Sequence, residues 1–203
     1  MPDLAAALRL VLPAGVALGL PVAGDAPLED PGPVVALRRA EFAAGRSAAR
    51  AAMAGLNLPP LPIPMGEDRA PVWPAGVTGA ISHCAGACLA VAGHAARWRG
   101  LGLDVEPLQP LDAELWPIIL GPTERQGGLL ALRSFVAKEA AYKAQYPISR
   151  TLFDFHTLRL DWSGDDFTAQ FTRRIAPFAS GAALPGRLVQ AGGFVAAFVA
   201  IAA

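Results

Sequence analysis

A proline-rich segment divides the first half of this chain of 203 residues. Residues 57–76 read NLPPLPIPMGEDRAPVWPAG, and prolines recur throughout them. Because each proline removes a backbone donor and fixes φ, such a stretch is incompatible with a helix interior or a central strand. The segment is therefore predicted to be an irregular connection between regular structure before residue 57 and regular structure after residue 76.

Before this connection, the sequence predicts a hairpin, a loop and one long helix. Residues 5–23 alternate short apolar runs with glycine and proline, which favours two strands joined by a turn. Residues 25–33 read DAPLEDPGP and are predicted to form a loop. From Val34 to about Leu56, apolar positions recur with helical spacing among many alanines, the best helix formers.

After the connection, short apolar runs alternate with helical patterns and with turn residues. This mixture indicates an α+β fold, in which the closing strands form antiparallel hairpins. The predicted elements are, in order, strands at 77–83, 87–94 and 99–107, helices at 111–120 and from Thr123-Glu124 to 146, and hairpin strands from residue 155 onward.

The composition excludes several classes of protein. With 53% apolar and 17% charged residues, the chain is too apolar for general disorder. Its 17 basic and 17 acidic residues balance, which argues against a broadly basic nucleic-acid-binding protein. No apolar stretch is long enough to span a membrane, and no basic region opens a signal peptide, so we expect a cytoplasmic protein. Cys84 and Cys88 are interpreted as core thiols.

Two carboxylates are predicted to share one face of the strand that ends at Pro107. Asp104 and Glu106 are two residues apart, and side chains at that spacing in a strand point to the same side. Neighbouring carboxylates repel each other unless a cation or a shared proton lies between them. Oxygen ligands of this kind suit Mg²⁺, whereas the alternative is a strand end with two solvated acids.

The predicted helix after residue 123 carries the only two lysines of the chain, Lys138 and Lys143. Every other basic residue apart from histidine is arginine. On a helix, Glu139 and Lys143 are neighbours at i and i+4. This group is interpreted either as a third metal carboxylate flanked by cations that neutralise a phosphate, or as a surface ion pair.

Two further groups are candidates for binding an anion. Arg39, Arg46 and Arg50 lie seven and then four residues apart, so they share roughly one face of the first long helix. That face either binds an anion through the planar guanidinium groups or is simply solvated. Ser82 and His83 either bind an anion or cap a turn.

Three motifs in this order resemble those of the 4′-phosphopantetheinyl transferases. They are similar above all to the larger single-chain type used in siderophore and other non-ribosomal synthesis, including the enterobactin synthetase component D subgroup. The resemblance runs from about residue 38 to residue 143. The motifs are W-P-x-G-x-x-G-x-I-S-H at 73–83, G-x-D-x-E at 102–106 and F-x-x-K-E-x-x-Y-K at 135–143.

The resemblance implies a role for each matching residue. The metal ligands would gather Mg²⁺, or Mn²⁺, at the coenzyme A pyrophosphate. Lys143 would face the pyrophosphate or its leaving group, Lys138 would assist the chemistry, and Glu124 would activate the incoming serine hydroxyl. The implied metal ligands are Asp104, Glu106 and Glu139. The implied coenzyme A contacts are Arg39, Arg46, Arg50, Ser82, His83 and Lys143.

The resemblance also implies the architecture and the partners. Two similar halves, residues 1–98 and 99–203, would form a pseudo-dimer with coenzyme A in the cleft between them. The first half would hold the arginine-bearing helix and the Ser-His strand, and the second half would hold the acids and the lysine helix. The chain would be a cytoplasmic monomer with internal pseudo-two-fold symmetry, and its partner would be an apo acyl or peptidyl carrier protein, with neither nucleic acid nor membrane involved.

The expected reaction is transfer of 4′-phosphopantetheine from coenzyme A to a carrier-protein serine, with release of adenosine 3′,5′-bisphosphate. Two alternatives use the same residues. One is a regulatory homologue that binds coenzyme A without transferring anything. The other is a Mg²⁺-dependent phosphoester hydrolase, which would leave the Ser-His and arginine groups without a role.

Overall fold

The computed structural model describes residues 1–25, 27–32, 35–124 and 127–203, and two antiparallel sheets organise this part of the chain. The smaller sheet contains β1 (Val16–Gly19), β2 (Val77–Cys84) and β3 (Ala87–His94), with β3 in the middle. The larger sheet contains β4 (Trp98–Pro107), β5 (Leu158–Ser163), β6 (Asp166–Phe171), β7 (Ala183–Ala191) and β8 (Phe194–Ala202), in the spatial order β4-β8-β7-β6-β5.

Helices cover both sheets, which confirms the predicted α+β class. The helices of the described ranges are α1 (Pro2–Val11), α2 (Ala36–Ala54), α3 (Trp116–Ile119) and α4 (Gly128–Ser149), with short 3₁₀ turns at Ala113–Leu115 and Phe155–Thr157. The long helix α2 packs on the smaller sheet and α4 packs on the larger one. Each half therefore contributes one long helix and one antiparallel sheet.

The predicted hairpin over residues 5–23 is wrong, because its first arm is the helix α1. Leu4 and Leu8, at helical spacing, are fully buried against Val189, Ala196 and Phe198 of the larger sheet. Good helix formers dominate this stretch, and the helix ends before Pro13. Only the second arm is a strand, β1.

Two predicted helices also differ at their boundaries. The helix expected at 111–120 is reduced to one 3₁₀ turn and the four residues of α3. The next helix begins at Gly128 rather than at Thr123-Glu124, because Glu124 is held in a turn by its own hydrogen bonds. Arg125 and Gln126 lie outside the described residues. Val34, where the first long helix was expected to begin, also lies outside them, and α2 begins at Ala36.

The strands predicted at 77–83, 87–94 and 99–107 are confirmed, and β4 alternates as expected. Leu101, Leu103 and Val105 are fully buried on one side of the strand. Gly100 and Gly102 lie on the other side, directly beneath the main chain of α4 at Ala140 and Ala144. A methyl group at either glycine would collide with those backbone atoms, so the helix lies close to the strand that carries the acids.

The two sheets meet where β2 lies beside β4. The Ser82 hydroxyl of β2 donates to Asp104 of β4 and accepts a hydrogen bond from the Val105 backbone amide. The predicted boundary between residues 98 and 99 falls at the first residue of β4, and it stays a prediction. Within the described ranges, no helix combines the length and the apolar character needed to cross a membrane.

Candidate active site

Three elements bring their polar side chains together at Asp104. Its Oδ1 atom accepts hydrogen bonds from the Ser82 hydroxyl on β2, at 2.8 Å, and from the Lys143 ammonium on α4, at 2.6 Å. Lys143 also donates to the Ser82 Oγ at 3.3 Å. The structure thus joins one residue from each of the three sequence motifs, which we call the Ser82–Asp104–Lys143 network.

Asp104 is only 4% exposed, yet its second oxygen lacks a partner. Among the described residues, no side chain or backbone group donates a hydrogen bond to the buried Oδ2 atom. A buried carboxylate oxygen without a donor costs free energy of folding, because it gives up its hydrogen bonds to water and receives none from the protein. This unpartnered oxygen is the observation that best fits a bound cation, which the polypeptide itself does not supply.

Burial and the charges of this network shift the pKa values of Glu106 and Glu139. Burial raises the pKa of Glu106, and the negative charges of Asp104 and Glu139 raise it further, against the opposing charge of Lys143. Burial also raises the pKa of Glu139, where Lys143 lowers it and Asp104 raises it. These two half-buried carboxyls therefore sit in a negative environment that a divalent cation would neutralise.

The three acids do not converge on one point in this structure. Among the described side chains, no group of three or more histidine, cysteine, aspartate or glutamate residues is close enough to hold a metal ion. The Lys143 ammonium pairs with the Oδ1 atom of Asp104. The donor chemistry of the three carboxylates suits Mg²⁺, but binding would require side-chain adjustment around them.

A cavity of about 560 Å³ opens beside Lys143, between α4, the start of β2 and residues 68–73 of the proline-rich segment. Its wall carries cations and aromatic rings, and its one acid, Asp68, is tied to the Tyr146 hydroxyl and the Arg150 guanidinium. A cavity of this charge suits an anionic ligand with a flat ring. The cationic and aromatic lining residues are Arg69, Arg99, Lys143, Arg150, Trp73, Tyr142 and Tyr146.

The Ser82-His83 pair is divided between the two faces of β2. Ser82 is buried against Asp104, whereas His83 is exposed and lines a second cavity of about 540 Å³ with Glu41, Cys84 and Cys88. Alternation along the strand separates the two side chains, so they cannot act on one atom. Burial raises the pKa of both cysteine thiols to about 11. The two cysteines therefore stay thiols at neutral pH, and the alternation of β3 against β2 places them on opposite faces.

The three arginines of α2 do not form one exposed face. Arg39 is exposed and donates to the Gly32 carbonyl. Arg46 is 6% exposed and lies over the Phe42 ring, with its Nε atom unpartnered among the described residues. Arg50 is 4% exposed and is held by two carboxylates, Asp25 and Glu29, each at 2.8 Å.

Sequence reasoning missed the acidic partners of Arg50. Glu29 also accepts a hydrogen bond from the Ile63 amide at 2.7 Å, so it ties the loop after β1 to both α2 and the proline-rich connection. The signal was present as Asp25 and Glu29, two of the three acids in DAPLEDPGP, which precedes an arginine-bearing helix. Nothing in the spacing along the chain, however, specified that the loop folds back onto that helix.

Replacing Asp25 with asparagine is expected to lower the midpoint of thermal denaturation at neutral pH by a few degrees. Hydrogen bonds from Ser47 and Arg50 lower the pKa of Asp25 below its ordinary value of 3.8. A depressed pKa stabilises the folded state above the unfolded pKa, and this stabilisation is lost as the pH falls through the folded pKa.

The difference between wild type and the Asp25→Asn variant should therefore shrink as the pH is lowered below 3.8. Asp30→Asn, at an exposed aspartate of the same loop, is the matched control and should leave the midpoint unchanged. Equal midpoints for Asp25→Asn and wild type at neutral pH would show that this pairing contributes nothing.

Glu124 and Lys138 lie together, apart from the Ser82–Asp104–Lys143 network. They form a buried ion pair of 2.6 Å, with side chains 7% and 1% exposed. Lys138 lies on the same helix as Glu139 and Lys143, but its hydrogen bonds within the described ranges go to Glu124 and the Ile119 carbonyl, not to Asp104 or Ser82. The predicted catalytic roles of Glu124 and Lys138 stay predictions.

Comparison with known proteins identifies the family of the chain. A model of the 4′-phosphopantetheinyl transferase N-terminal domain matches residues 33–93, and a model of the 4′-phosphopantetheinyl transferase superfamily matches residues 100–198. The second match contains Asp104, Glu106, Glu139 and Lys143, and the first contains Ser82.

Curated relatives agree with these models. The 4′-phosphopantetheinyl transferase Svp of Streptomyces mobaraensis is 37% identical over 179 residues, covering 80% of this chain and 72% of Svp. The 4′-phosphopantetheinyl transferase PptT of Mycobacterium tuberculosis is 34% identical over 166 residues, covering 75% and 73% of the two chains. Enterobactin synthase component D of Salmonella typhimurium is 39% identical over 117 residues, covering 53% of this chain and 48% of that protein. The chain therefore belongs to the 4′-phosphopantetheinyl transferases, as an enzyme of that type.

Proposed function

We propose that the chain transfers 4′-phosphopantetheine from coenzyme A to a serine of an apo acyl or peptidyl carrier protein and releases adenosine 3′,5′-bisphosphate. The observation that carries this proposal is the Ser82–Asp104–Lys143 network, with a buried unpartnered carboxylate oxygen beside two further acids. Such a group is suited to a metal-bound pyrophosphate. The relative named enterobactin synthase component D supports a carrier of siderophore or other non-ribosomal synthesis.

Asp104, Glu106 and Glu139 would hold Mg²⁺, or Mn²⁺, because oxygen donors suit both ions. When bound, the cation would neutralise the pyrophosphate and stabilise the charge that develops on it. The raised pKa values of Glu106 and Glu139 support this assignment, since the charge of Lys143 offsets only part of the effect of burial and of the neighbouring acids.

In the proposed reaction, the serine oxygen bonds to the β-phosphorus while the bond from that phosphorus to the bridging oxygen breaks. The leaving group departs as adenosine 3′,5′-bisphosphate, and the serine proton passes to a base. Phosphoryl chemistry of this kind depends mainly on positioning and charge neutralisation. Lys143, 28% exposed at the edge of the cavity, supplies a cation for the leaving group.

The nucleotide of coenzyme A would contact the first half of the chain. His83 and Arg39 are exposed there, and the Nε atom of the buried Arg46 has no partner among the described residues. Ser82 would act through Asp104 and Lys143. Arg50 would act indirectly, because its carboxylate partners shape the loop beside α2.

The decisive experiment incubates the protein with Mg²⁺, coenzyme A and a panel of apo carrier proteins and measures their mass. Transfer should add roughly 340 Da, the mass of the phosphopantetheine group, to a carrier. Coenzyme A binding without a mass gain on any carrier would favour a regulatory protein, and coenzyme A breakdown without a carrier would favour a hydrolase. The molar mass of the same preparation in solution would test the proposed monomeric state, and fractionation of cells would test the proposed cytoplasmic location.

Replacing His83 with alanine is expected to raise the KM for coenzyme A several-fold and to change kcat less. The side chain lies on the exposed face of β2, away from Asp104, so its loss removes substrate binding rather than chemistry. His94→Ala, at an exposed histidine at the end of β3, is the matched control. An unchanged KM in the His83→Ala variant would contradict the assignment.

A further inference from the structure

The buried pair of Glu124 and Lys138 has every charged atom occupied by protein groups. The Oε2 atom of Glu124 accepts hydrogen bonds from the Gly121 amide at 2.5 Å and from the Lys138 ammonium at 2.6 Å. Its Oε1 atom accepts from the Leu160 amide at 3.1 Å. Lys138 donates in addition to the Ile119 carbonyl at 2.8 Å.

These bonds connect three separate parts of the second half. Lys138 belongs to α4 and Leu160 belongs to β5. Ile119 is the last residue of α3, and Gly121 lies in the segment that joins α3 to α4. A buried, fully satisfied pair of this kind is strongly destabilising to break, because removing either partner leaves an uncompensated charge in the interior.

We propose that Glu124 and Lys138 are a positioning pair that fixes α4 against the 119–124 segment and β5, and that Glu124 is not the base for the serine hydroxyl. This inference rests on the proposed function. Accepting a proton would break the bond from Glu124 to Lys138 and leave the ammonium, 1% exposed, without its counter-ion. With its side chain 7% exposed and three donors in place, Glu124 has little surface to offer an incoming hydroxyl.

This positioning also fixes the orientation of Glu139, which follows Lys138 in the helix. The two side chains lie about 100° apart around the helix axis, so anchoring one fixes the direction of the other. Both line a small cavity of about 120 Å³ with Tyr142 and residues of the loop before β5. A rotation of α4 that released Lys138 would turn Glu139 away from Asp104 and Glu106.

The test is a double-mutant cycle on Glu124→Gln and Lys138→Met. Each single variant should lower the midpoint of thermal denaturation by roughly 6–20 °C, and the double variant should recover most of that loss because neither charge is left unpaired. Asp166→Asn and Arg187→Met, which break an exposed pair, are the matched control and should show almost no coupling.

Magnesium binding, measured by calorimetry with Mg²⁺ alone on the folded variants, separates positioning from a purely structural role. Each single variant should bind Mg²⁺ about 10–100-fold more weakly than wild type, as expected for the loss of an outer support of a ligand, and the double variant should recover. Unchanged Mg²⁺ affinity in both single variants would overturn the proposal.

The rate of carrier modification is the third measurement on these variants. Loss of a base costs about 10²–10⁴-fold and cannot be recovered by a change at Lys138. Recovery of kcat in the double variant relative to Glu124→Gln supports the positioning pair, and a double variant as slow as Glu124→Gln overturns it. If wild type binds no Mg²⁺ or modifies no carrier, the proposed function fails, whereas the thermal cycle still decides whether the pair fixes α4.

Discussion

Replacing Asp104 with asparagine is expected to reduce transfer to the carrier protein by about 10²–10³-fold or more. Asparagine keeps an oxygen that can accept the hydrogen bond from Ser82, so the contact between β2 and β4 survives. It removes the charge that Lys143 pairs with and the buried Oδ2 atom that lacks a partner. Activity should therefore fall while the fold remains.

The measurement is kcat/KM for carrier modification together with thermal denaturation of the same preparation. Asp161→Asn, at an exposed aspartate of β5, is the matched control and should retain activity. Wild-type activity in Asp104→Asn would eliminate the metal assignment, and a collapse of the denaturation midpoint would show that Asp104 serves mainly the fold.

The second large effect is expected from Lys143→Arg, which preserves the charge. The ammonium of Lys143 lies 2.6 Å from Asp104 and 3.3 Å from Ser82, a tight position for a compact donor. Guanidinium is broad and planar, so it cannot take that position without moving β2 or β4. We expect kcat to fall by roughly tenfold to a hundredfold, since a misplaced charge stabilises the leaving group less well.

A matched control is Arg187→Lys on the exposed surface of β7, which makes the opposite exchange and should leave kcat unchanged. Single-turnover measurements would show whether Lys143→Arg slows chemistry or product release. Equal rates for Lys143→Arg and wild type would mean that lysine at this position reflects chance in an arginine-biased chain.

The spacing of apolar residues along the chain predicted those elements in which buried and exposed residues alternate regularly. Alternation in β4 placed the leucines in the core and the two acids on the opposite side, and the apolar spacing of α2 gave a helix within two residues of its observed start. The resemblance of the motifs implied a metal ligand at Asp104 and coenzyme A contacts at Ser82 and Lys143, and those roles stay predictions. The structure joins the three residues by direct hydrogen bonds.

The parts that failed depend on contacts distant in sequence. The stretch that forms α1 was predicted to be a strand, but it is a helix because its leucines pack at helical spacing on β7 and β8. Glu124 looked like a helix start, but its partners are Lys138 and Leu160, 14 and 36 residues away. Arg50 looked like part of an exposed face, but the loop that carries Asp25 and Glu29 covers it.

The close approach of α4 to β4 gives Gly102 a role equal to that of the acids in its motif. Any larger residue at this point would push the helix outward and increase the separation of Glu139 from Asp104 and Glu106. The spacing of the acids is thus set by contact between main chains. Residues of the neighbouring cavity other than Lys143 can consequently be replaced without changing the geometry of the acids.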